Sequence, residues 1–169
     1  MLRSSTSFAV RKGRASDAKA LAAVFRQSWQ QAYRGIIPQL HLDSLINQRG
    51  PDWWKRSLRS ASDLLVLEVD GEVAGYATFG TSRAHGSSHG EIYELYLAPS
   101  YQGMGLGEHV FEAARHRLDE RKMRGLVVWA LAENTSATDF YWRRGGRPIA
   151  RAFEQFGKAR LEKIAFTWD

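Results

Sequence analysis

Residues 95–107 read Leu95-Tyr96-Leu97-Ala98-Pro99-Ser100-Tyr101-Gln102-Gly103-Met104-Gly105-Leu106-Gly107. The apolar run that ends at Ala-Pro predicts a strand, and a helical apolar stripe follows the glycines: Leu106, Val110, Ala113, Ala114 and Leu118. A turn that opens a helix leaves backbone N–H groups without partners at the positive end of the helix dipole. The segment therefore predicts a site for a phosphate, and the glycines let that phosphate approach the backbone.

Two common phosphate-binding motifs do not fit this turn. A P-loop needs a Lys directly after its last glycine, whereas Leu106 follows Gly105 and Glu108 follows Gly107. The dinucleotide-binding motif needs a third glycine five residues after Gly103, where Glu108 stands. The pattern that remains is Gln/Arg-x-x-Gly-x-Gly/Ala, which Gln102, Gly105 and Gly107 match.

The rest of the chain predicts an α/β protein with a mixed sheet. Asp70-Gly71 joins two apolar runs as an antiparallel hairpin, and the strand, helix and strand from residue 92 to residue 131 predict a parallel βαβ unit. We expect about seven strands with helices on both faces. The predicted strands are 8–11, 64–69, 73–79, 92–97, 126–131, 149–156 and 161–168, and the predicted helices are one from Ser16, two or three within 29–58, one from Leu106 and one over 135–144.

Length and composition indicate one domain over residues 1–169. Of the 169 residues 44% are hydrophobic and 25% are charged, which is typical of a soluble globular protein. The chain has no Cys, so disulfide scaffolds, thiolate zinc sites and cysteine nucleophiles are excluded. No apolar run reaches the roughly 18 residues of a membrane helix, and the first residues lack the apolar stretch of a signal peptide. We expect a cytoplasmic protein with no membrane partner.

Positive charge is concentrated in the N-terminal third of the chain. Residues 1–62 hold 11 Lys or Arg against 3 Asp or Glu, whereas residues 63–169 hold 13 against 15. This pattern fits a nucleic-acid binder, a surface that attracts a polyanionic cofactor or an acidic substrate, or an ordinary solvated surface. The aromatic residues among these charges, Trp29, Tyr33, Trp53 and Trp54, are more typical of a core or a substrate pocket than of base-stacking platforms.

A second motif gives these observations a family context. The pattern Asn-x-x-Ala-x-x-Phe-Tyr-x-x-x-Gly is matched by Asn134, Ala137, Phe140, Tyr141 and Gly145. With the glycine turn before it, the chain resembles the GCN5-related N-acetyltransferase (GNAT) family from its first strand to Trp168. The resemblance implies a twisted mixed sheet whose fourth and fifth strands separate to admit acetyl-CoA, with N-terminal helices over the acceptor side.

The resemblance also implies roles for individual residues. The main chain of Leu95, Tyr96 and Leu97 would pair with the pantetheine amides, as an added strand would. Asn134 would hydrogen-bond the pantetheine arm, and the Tyr141 hydroxyl would stand near the sulfur. Many relatives have Phe where this chain has Gly146, which predicts weaker packing there. The pyrophosphate would lie on the turn that Gln102 opens, against the backbone of Gly103, Met104, Gly105, Leu106, Gly107 and Glu108.

Acetyl transfer to an amine requires a proton acceptor and a proton donor. A lysine-type amine is protonated at pH 7, so a base must take its proton, while a phenol such as Tyr141 can protonate the departing thiolate. Glu91 and Glu94 are the candidate bases. Their odd spacing predicts opposite faces of the strand, so that at most one faces the acceptor, and we favour Glu91. Direct attack needs no covalent enzyme intermediate.

The sequence therefore predicts an acetyl-CoA-dependent N-acetyltransferase acting on a primary amine of a small molecule, without a metal. A protein amine as acceptor and a homodimer stay open. The competing class is a non-catalytic acyl-CoA-binding or basic nucleic-acid-binding module. Gly86-Ser87-Ser88-His89-Gly90 matches a hydrolase nucleophile elbow, but a strand follows it where an elbow needs a helix. His85 and His89 lack a third ligand for a metal.

Overall fold

The computed structural model describes residues 6–60, 63–83 and 89–168. Within these ranges the strands are β1 (Phe8–Lys12), β2 (Leu64–Val69), β3 (Glu72–Thr81), β4 (Gly90–Leu97), β5 (Leu126–Leu131), β6 (Arg147–Phe156) and β7 (Ala159–Trp168). The helices are α1 (Ala18–Tyr33), α2 (Gln39–Gln48), α3 (Pro51–Ser60), α4 (Leu106–Glu120) and α5 (Thr135–Arg143). Short 3-10 turns precede α1 and follow β4.

The seven strands form one mixed sheet in the order β1-β2-β3-β4-β5-β7-β6. The strands β4 and β5 are parallel and the other neighbours are antiparallel, as the hairpin and βαβ patterns predict. Asp70 and Gly71 both have positive φ angles, 48° and 82°, which is the backbone that a two-residue hairpin turn requires. The predicted sheet is confirmed.

The sheet has an apolar cluster on each face. On one face, Leu106, Val110, Phe111, Ala114 and Leu118 of α4 pack with residues of β2 to β5 and β7. On the other face, α1, α2 and α3 cover β2 and β3 with a cluster that includes the buried Tyr33 and Trp54. Trp29 and Trp53 pack against this second cluster, so these four aromatic side chains belong to the core.

The last two strands are longer than the apolar pattern predicts. β6 begins at Arg147, which pairs with Thr167 of β7, whereas its predicted start was residue 149. Most of β6 is exposed, so its residues do not show the alternation of a half-buried strand. Residues 84–88, which contain His85 and most of the hydrolase-like pattern, lie outside the described residues. No helix in the described ranges is long and apolar enough to cross a membrane.

The parallel pair β4 and β5 separates after three residue pairs. Gly90, Glu91 and Ile92 align with Leu126, Val127 and Val128, and no pairing continues beyond them. On its other edge β4 stays paired with β3 up to Leu97, through a register shift beside Tyr93. The two parallel strands thus form a wedge that opens toward the glycine turn.

Candidate active site

The glycine turn at the start of α4 has the backbone that a phosphate cradle needs. Gly103 and Gly105 have φ angles of 76° and 77°, and Gly105 is the N-cap of α4. A Cβ added at either glycine would meet no atom within 4 Å, so both face open space. Within the ranges that the structure describes, the N–H groups of residues 103–105 donate to no backbone or side-chain acceptor. The turn therefore fits the predicted phosphate group.

A cleft of about 800 Å³ runs from this turn into the wedge between β4 and β5. Met104 is the one predicted cofactor-binding residue that does not line it, and the Met104 side chain is 54% exposed. The structure therefore brings together two segments that lie about 30 residues apart in the chain. The predicted residues in the lining are Leu95, Tyr96, Leu97, Gln102, Gly103, Gly105, Leu106, Gly107, Glu108, Asn134 and Tyr141.

The free edge of β4 forms one wall of the cleft. Leu95, Tyr96 and Leu97 pair with Ala77, Tyr76 and Gly75 of β3 on one side. Their other side faces the wedge, because the pairing with β5 has already ended. An extended, amide-bearing ligand can pair with such an edge as an additional strand.

The side chain of Gln102 braces the turn. Its amide nitrogen donates to the carbonyl oxygen of Leu97 at 2.9 Å and to Oε1 of Gln31 at 2.7 Å. Gln102 thus ties the end of β4 to α1. A glutamine suits this position because its side-chain amide can make both hydrogen bonds. The role of the Gln102 side chain is therefore to hold the shape of the cleft.

The helix α5 supplies the opposite wall. Asn134 is its N-cap, and its Oδ1 accepts a hydrogen bond from the N–H of Ala137 at 3.3 Å. Tyr141 lies two turns further along and is 6% exposed. A phenol with the usual pKa of 10 is protonated at neutral pH, and burial raises the pKa of the Tyr141 hydroxyl above that value. A protonated phenol in the cleft can act as a hydrogen-bond donor.

The structure shows a contact between two tyrosine side chains that the sequence did not indicate. The hydroxyls of Tyr33, at the end of α1, and Tyr96, on β4, are hydrogen-bonded to each other. Burial raises the pKa of Tyr33, while its hydrogen bonds to Tyr96 and Asn134 lower it. Tyr33 and Tyr96 thus meet through their hydroxyls, and no local pattern could show it because the two residues are 63 positions apart.

The predicted geometry of the two glutamates is wrong. Thr78 of β3 pairs with Glu94, but the next residue, Phe79, pairs with Ile92, so Tyr93 is an extra residue in β4. Such a bulge reverses the alternation of side chains beyond it. Ile92 packs in the cluster under α4 and Leu95 packs against that cluster, which places Glu91 and Glu94 together on the opposite face.

Glu91 is covered by an arginine. Its side chain is 1% exposed, and it accepts hydrogen bonds from the Arg83 backbone N–H at 3.0 Å and from the Arg83 guanidinium at 2.6 Å. Arg83 itself is 65% exposed, and its guanidinium carbon lies 4.9 Å from the ring centre of Tyr93. The cation paired with Glu91 therefore lies on a side chain that reaches into solvent.

Glu94 is held more firmly. Both of its carboxylate oxygens accept hydrogen bonds from Arg49, at 2.8 and 2.9 Å, and Oε1 also accepts from the hydroxyl of Tyr76 at 3.1 Å. The Arg49 guanidinium lies between the rings of Phe25 and Trp53, at 4.7 and 4.4 Å from their centres. Through Arg49, which directly follows α2, Glu94 thus links β4 to α1, α2 and α3.

Gly146, the position where many members of the resembled family have Phe, does not leave a gap in the packing. A Cβ at Gly146 would lie 2.5 Å from the indole of Trp168 and 2.9 Å from the Tyr141 carbonyl oxygen. Trp168 is buried, and its Nε1 donates to the carbonyl oxygen of Arg144 at 2.9 Å. The expected loss of packing is therefore wrong, because a tryptophan from β7 fills the space. No group of three potential metal ligands occurs among the described residues.

Comparison with known proteins identifies the class. The family model described as Acetyltransferase (GNAT) family matches residues 22–146, which include both motifs and both glutamates. The chain belongs to this family and is an acetyltransferase.

Individual relatives match over nearly the whole chain. The uncharacterized N-acetyltransferase YuaI of Bacillus subtilis is 29% identical over 161 residues, covering 94% of this chain and 91% of YuaI. The structure of the PaiA N-acetyltransferase of Thermoplasma acidophilum, in complex with coenzyme A, has a TM-score of 0.73 at 20% identity and covers 93% of this chain and 98% of its own. YncA of Salmonella typhimurium, solved with acetyl-CoA, has a TM-score of 0.70 at 19% identity, covering 96% and 93%.

Proposed function

We propose that this acetyltransferase binds acetyl-CoA in the wedge between β4 and β5 and transfers the acetyl group directly to a primary amine of a small molecule. The observation that carries the proposal is the free edge of β4 at residues 95–97 beside unpaired N–H groups at residues 103–105. One surface thus offers an edge for amides and a cradle for a diphosphate. Acetyl-CoA supplies an activated acetyl thioester, and the two neighbours named above were solved with coenzyme A or acetyl-CoA.

Binding uses backbone groups more than side chains. The N–H groups of residues 103–105 and the start of α4 would hold the diphosphate, and Leu95 to Leu97 would pair with the pantetheine arm. Asn134, already fixed as the N-cap of α5, would orient that arm from the other wall. The substrate would thus be held by groups that the fold has already positioned, which lowers the entropy lost in reaching a reactive geometry.

Tyr141 would donate the proton that the departing thiolate needs. A tyrosine hydroxyl is protonated at neutral pH, burial raises the pKa of Tyr141 further, and Tyr141 lines the cleft. The Tyr141 ring is held in its orientation by contacts with four aromatic rings, those of Phe111, Phe140, Phe166 and Trp168. A donor fixed in this way is available without reorganisation of the site.

Glu91 is the better supported of the two candidate bases. Arg83 is 65% exposed and can leave Glu91 for solvent by giving up one ring contact, with Tyr93, whereas Arg49 is 25% exposed and could leave Glu94 only by giving up its contacts with Phe25 and Trp53. A carboxylate released from a neighbouring cation accepts a proton more readily, either directly or through a water molecule. Glu94 then has a structural role in joining β4 to the helices.

Release of free CoA with a panel of amines tests the proposal. The panel contains 2-phenylethylamine, hexylamine, ethanolamine, spermidine, an amino-acid amide and a short peptide with a free N-terminus. We expect turnover with at least one small amine and none with its N-acetylated form. Binding of acetyl-CoA without CoA release from any amine would show that the acceptor assignment is wrong.

A matched pair of variants tests the base. Glu91→Gln should lower kcat/KM for the amine by roughly 100-fold at pH 7, and by less at higher pH where the amine loses its proton unaided. Glu94→Gln should lower stability more than kcat, because it leaves Arg49 without its partner. A large pH-dependent loss in Glu94→Gln alone would assign the base to Glu94.

A further inference from the structure

The strand β5 carries a tryptophan at the point where the wedge opens. Val128 is the last residue of β5 that pairs with β4, and Trp129 is the next. Val128 and Ala130 pack in the cluster under α4, so the alternation along a strand places Trp129 on the opposite face. That face also carries Glu91, which is level with Val127 in the register of β4 and β5.

Trp129 lies outside the apolar clusters that the described residues form. Leu131, two residues further on the same face, belongs to the cluster under the N-terminal helices, but Trp129 belongs to neither apolar cluster of the described residues. Its partner on β7 is Ala165, which pairs with Ala150 of β6, so both neighbours across the sheet are small. The indole is half-buried, and the Lys163 ammonium nitrogen lies 4.9 Å from its ring centre.

The hairpin of β6 and β7 reaches the N-terminal helices on the same side of the sheet. Phe156 and Leu161, near the tip of the hairpin, pack against the cluster under the N-terminal helices. His41 of α2 meets the ring of Phe156 at 6.0 Å between ring centres. The hairpin tip and α2 thus meet at one end of the sheet face that carries Trp129 and Glu91.

We propose that Trp129 forms the floor of the acceptor site and selects a primary amine carried on an apolar chain or an aromatic ring. The inference rests on the proposed transfer to a small amine. The apolar body of the acceptor stacks on the indole face that the Lys163 ammonium covers, in place of that ammonium, and its amino group points to Glu91 and the wedge. An indole offers a large, rigid apolar surface, so stacking on it favours such amines over short polar ones.

Steady-state kinetics with two amines tests this role. We expect the wild-type protein to have a higher kcat/KM for 2-phenylethylamine than for ethanolamine. Trp129→Ala should raise KM for 2-phenylethylamine about tenfold, with kcat and KM for acetyl-CoA within about twofold of wild type. Trp129→Phe keeps a ring and should recover most of the lost affinity. Trp142→Ala is the matched control, because Trp142 is 51% exposed under the Arg147 guanidinium outside the cleft.

Binding can be measured without turnover. With ¹⁵N-labelled tryptophan the six indole N–H signals can be resolved, and the Trp129→Phe spectrum assigns one of them. Titration of 2-phenylethylamine into the protein with CoA should shift the Trp129 signal and leave the Trp142 signal in place.

The outcomes separate this inference from the proposed function. If no amine is acetylated, the proposed function fails, and an unmoved Trp129 signal in the titration would overturn the inference as well. If amines are acetylated but Trp129→Ala leaves KM for 2-phenylethylamine unchanged, or ethanolamine is the better wild-type substrate, only the inference is overturned. A rise in KM for acetyl-CoA equal to that for the amine would also overturn it, since that result indicates general damage to the wedge.

Discussion

Replacing Gly105 with Val tests whether the turn before α4 holds the diphosphate of CoA. Gly105 has a φ angle of 77°, and a side chain there would project into the open cleft. Gly71 provides a matched control, because its φ angle is 82°, its added Cβ would also meet nothing within 4 Å, and it lies in the β2–β3 hairpin. Both substitutions force a branched side chain into the left-handed region, which costs roughly 1–2 kcal/mol of stability.

The two variants should differ in CoA binding. A valine at position 105 would hold the diphosphate away from the backbone donors, and hydrogen bonds to charged groups contribute about 1.5–3 kcal/mol each. Loss of two such bonds weakens the binding free energy of CoA by about 3 kcal/mol, which raises the Kd roughly 100-fold. Gly71→Val should bind CoA as the wild type does, even though its free energy of unfolding falls by a similar amount.

Isothermal titration with CoA and urea unfolding measure the two effects on the same preparations. Gly105→Ala gives a milder substitution at the same position and should show an intermediate Kd. The reasoning is refuted if folded Gly105→Val binds CoA within about threefold of Gly71→Val. In that case the diphosphate lies elsewhere, and the free edge of β4 alone would not identify the ligand.

Three further predictions concern buried polar groups. Tyr141→Phe should lower kcat roughly 10-fold to 100-fold with KM for acetyl-CoA unchanged, while Tyr101→Phe should leave both unchanged; equal kcat values would remove Tyr141 from proton transfer. Asp17 is buried and paired with Arg11 at 2.8 Å, which holds the pKa of Asp17 below its usual range. Asp17→Asn should therefore cost about 3 kcal/mol at pH 7 in urea unfolding, and the difference from wild type should shrink as the pH falls through that lowered pKa. Burial raises the pKa of Tyr76 well above 10, so near pH 10 only the unfolded chain loses this proton. The free energy of unfolding therefore falls as the pH rises above 10. In Tyr76→Phe this fall should be shallower by about 1.4 kcal/mol per pH unit in urea unfolding.

Local sequence signals were sufficient for much of the fold. Asp70-Gly71 specifies a turn whatever surrounds it, because both residues tolerate positive φ angles. The apolar stripe from Leu106 to Leu118 specifies a helix and its buried face. The limits of β6 could not be predicted in the same way, since a mostly exposed edge strand has no alternation and is defined by its partner β7.

The candidate site was also predictable only where local sequence patterns define it. The glycine turn and the Asn134 to Gly145 motif are local, so the sequence indicated the two walls of the cleft and their order along the chain. Whether Glu91 and Glu94 share a face depends on a single extra residue in β4, at Tyr93. Nothing in the strand's composition marks that bulge, because it follows from the register with β3.

The sequence by itself determined which segments become strands and helices and where a phosphate can approach the backbone. These properties depend on the backbone freedom of glycine and on the spacing of apolar residues within a few turns of chain. Only the tertiary structure decided which distant side chains meet in and around the candidate site. Tyr33 reaches Tyr96, and Arg83 covers Glu91, through the pairing and packing of whole elements. Those contacts depend on register and on where two strands separate, which no local pattern encodes.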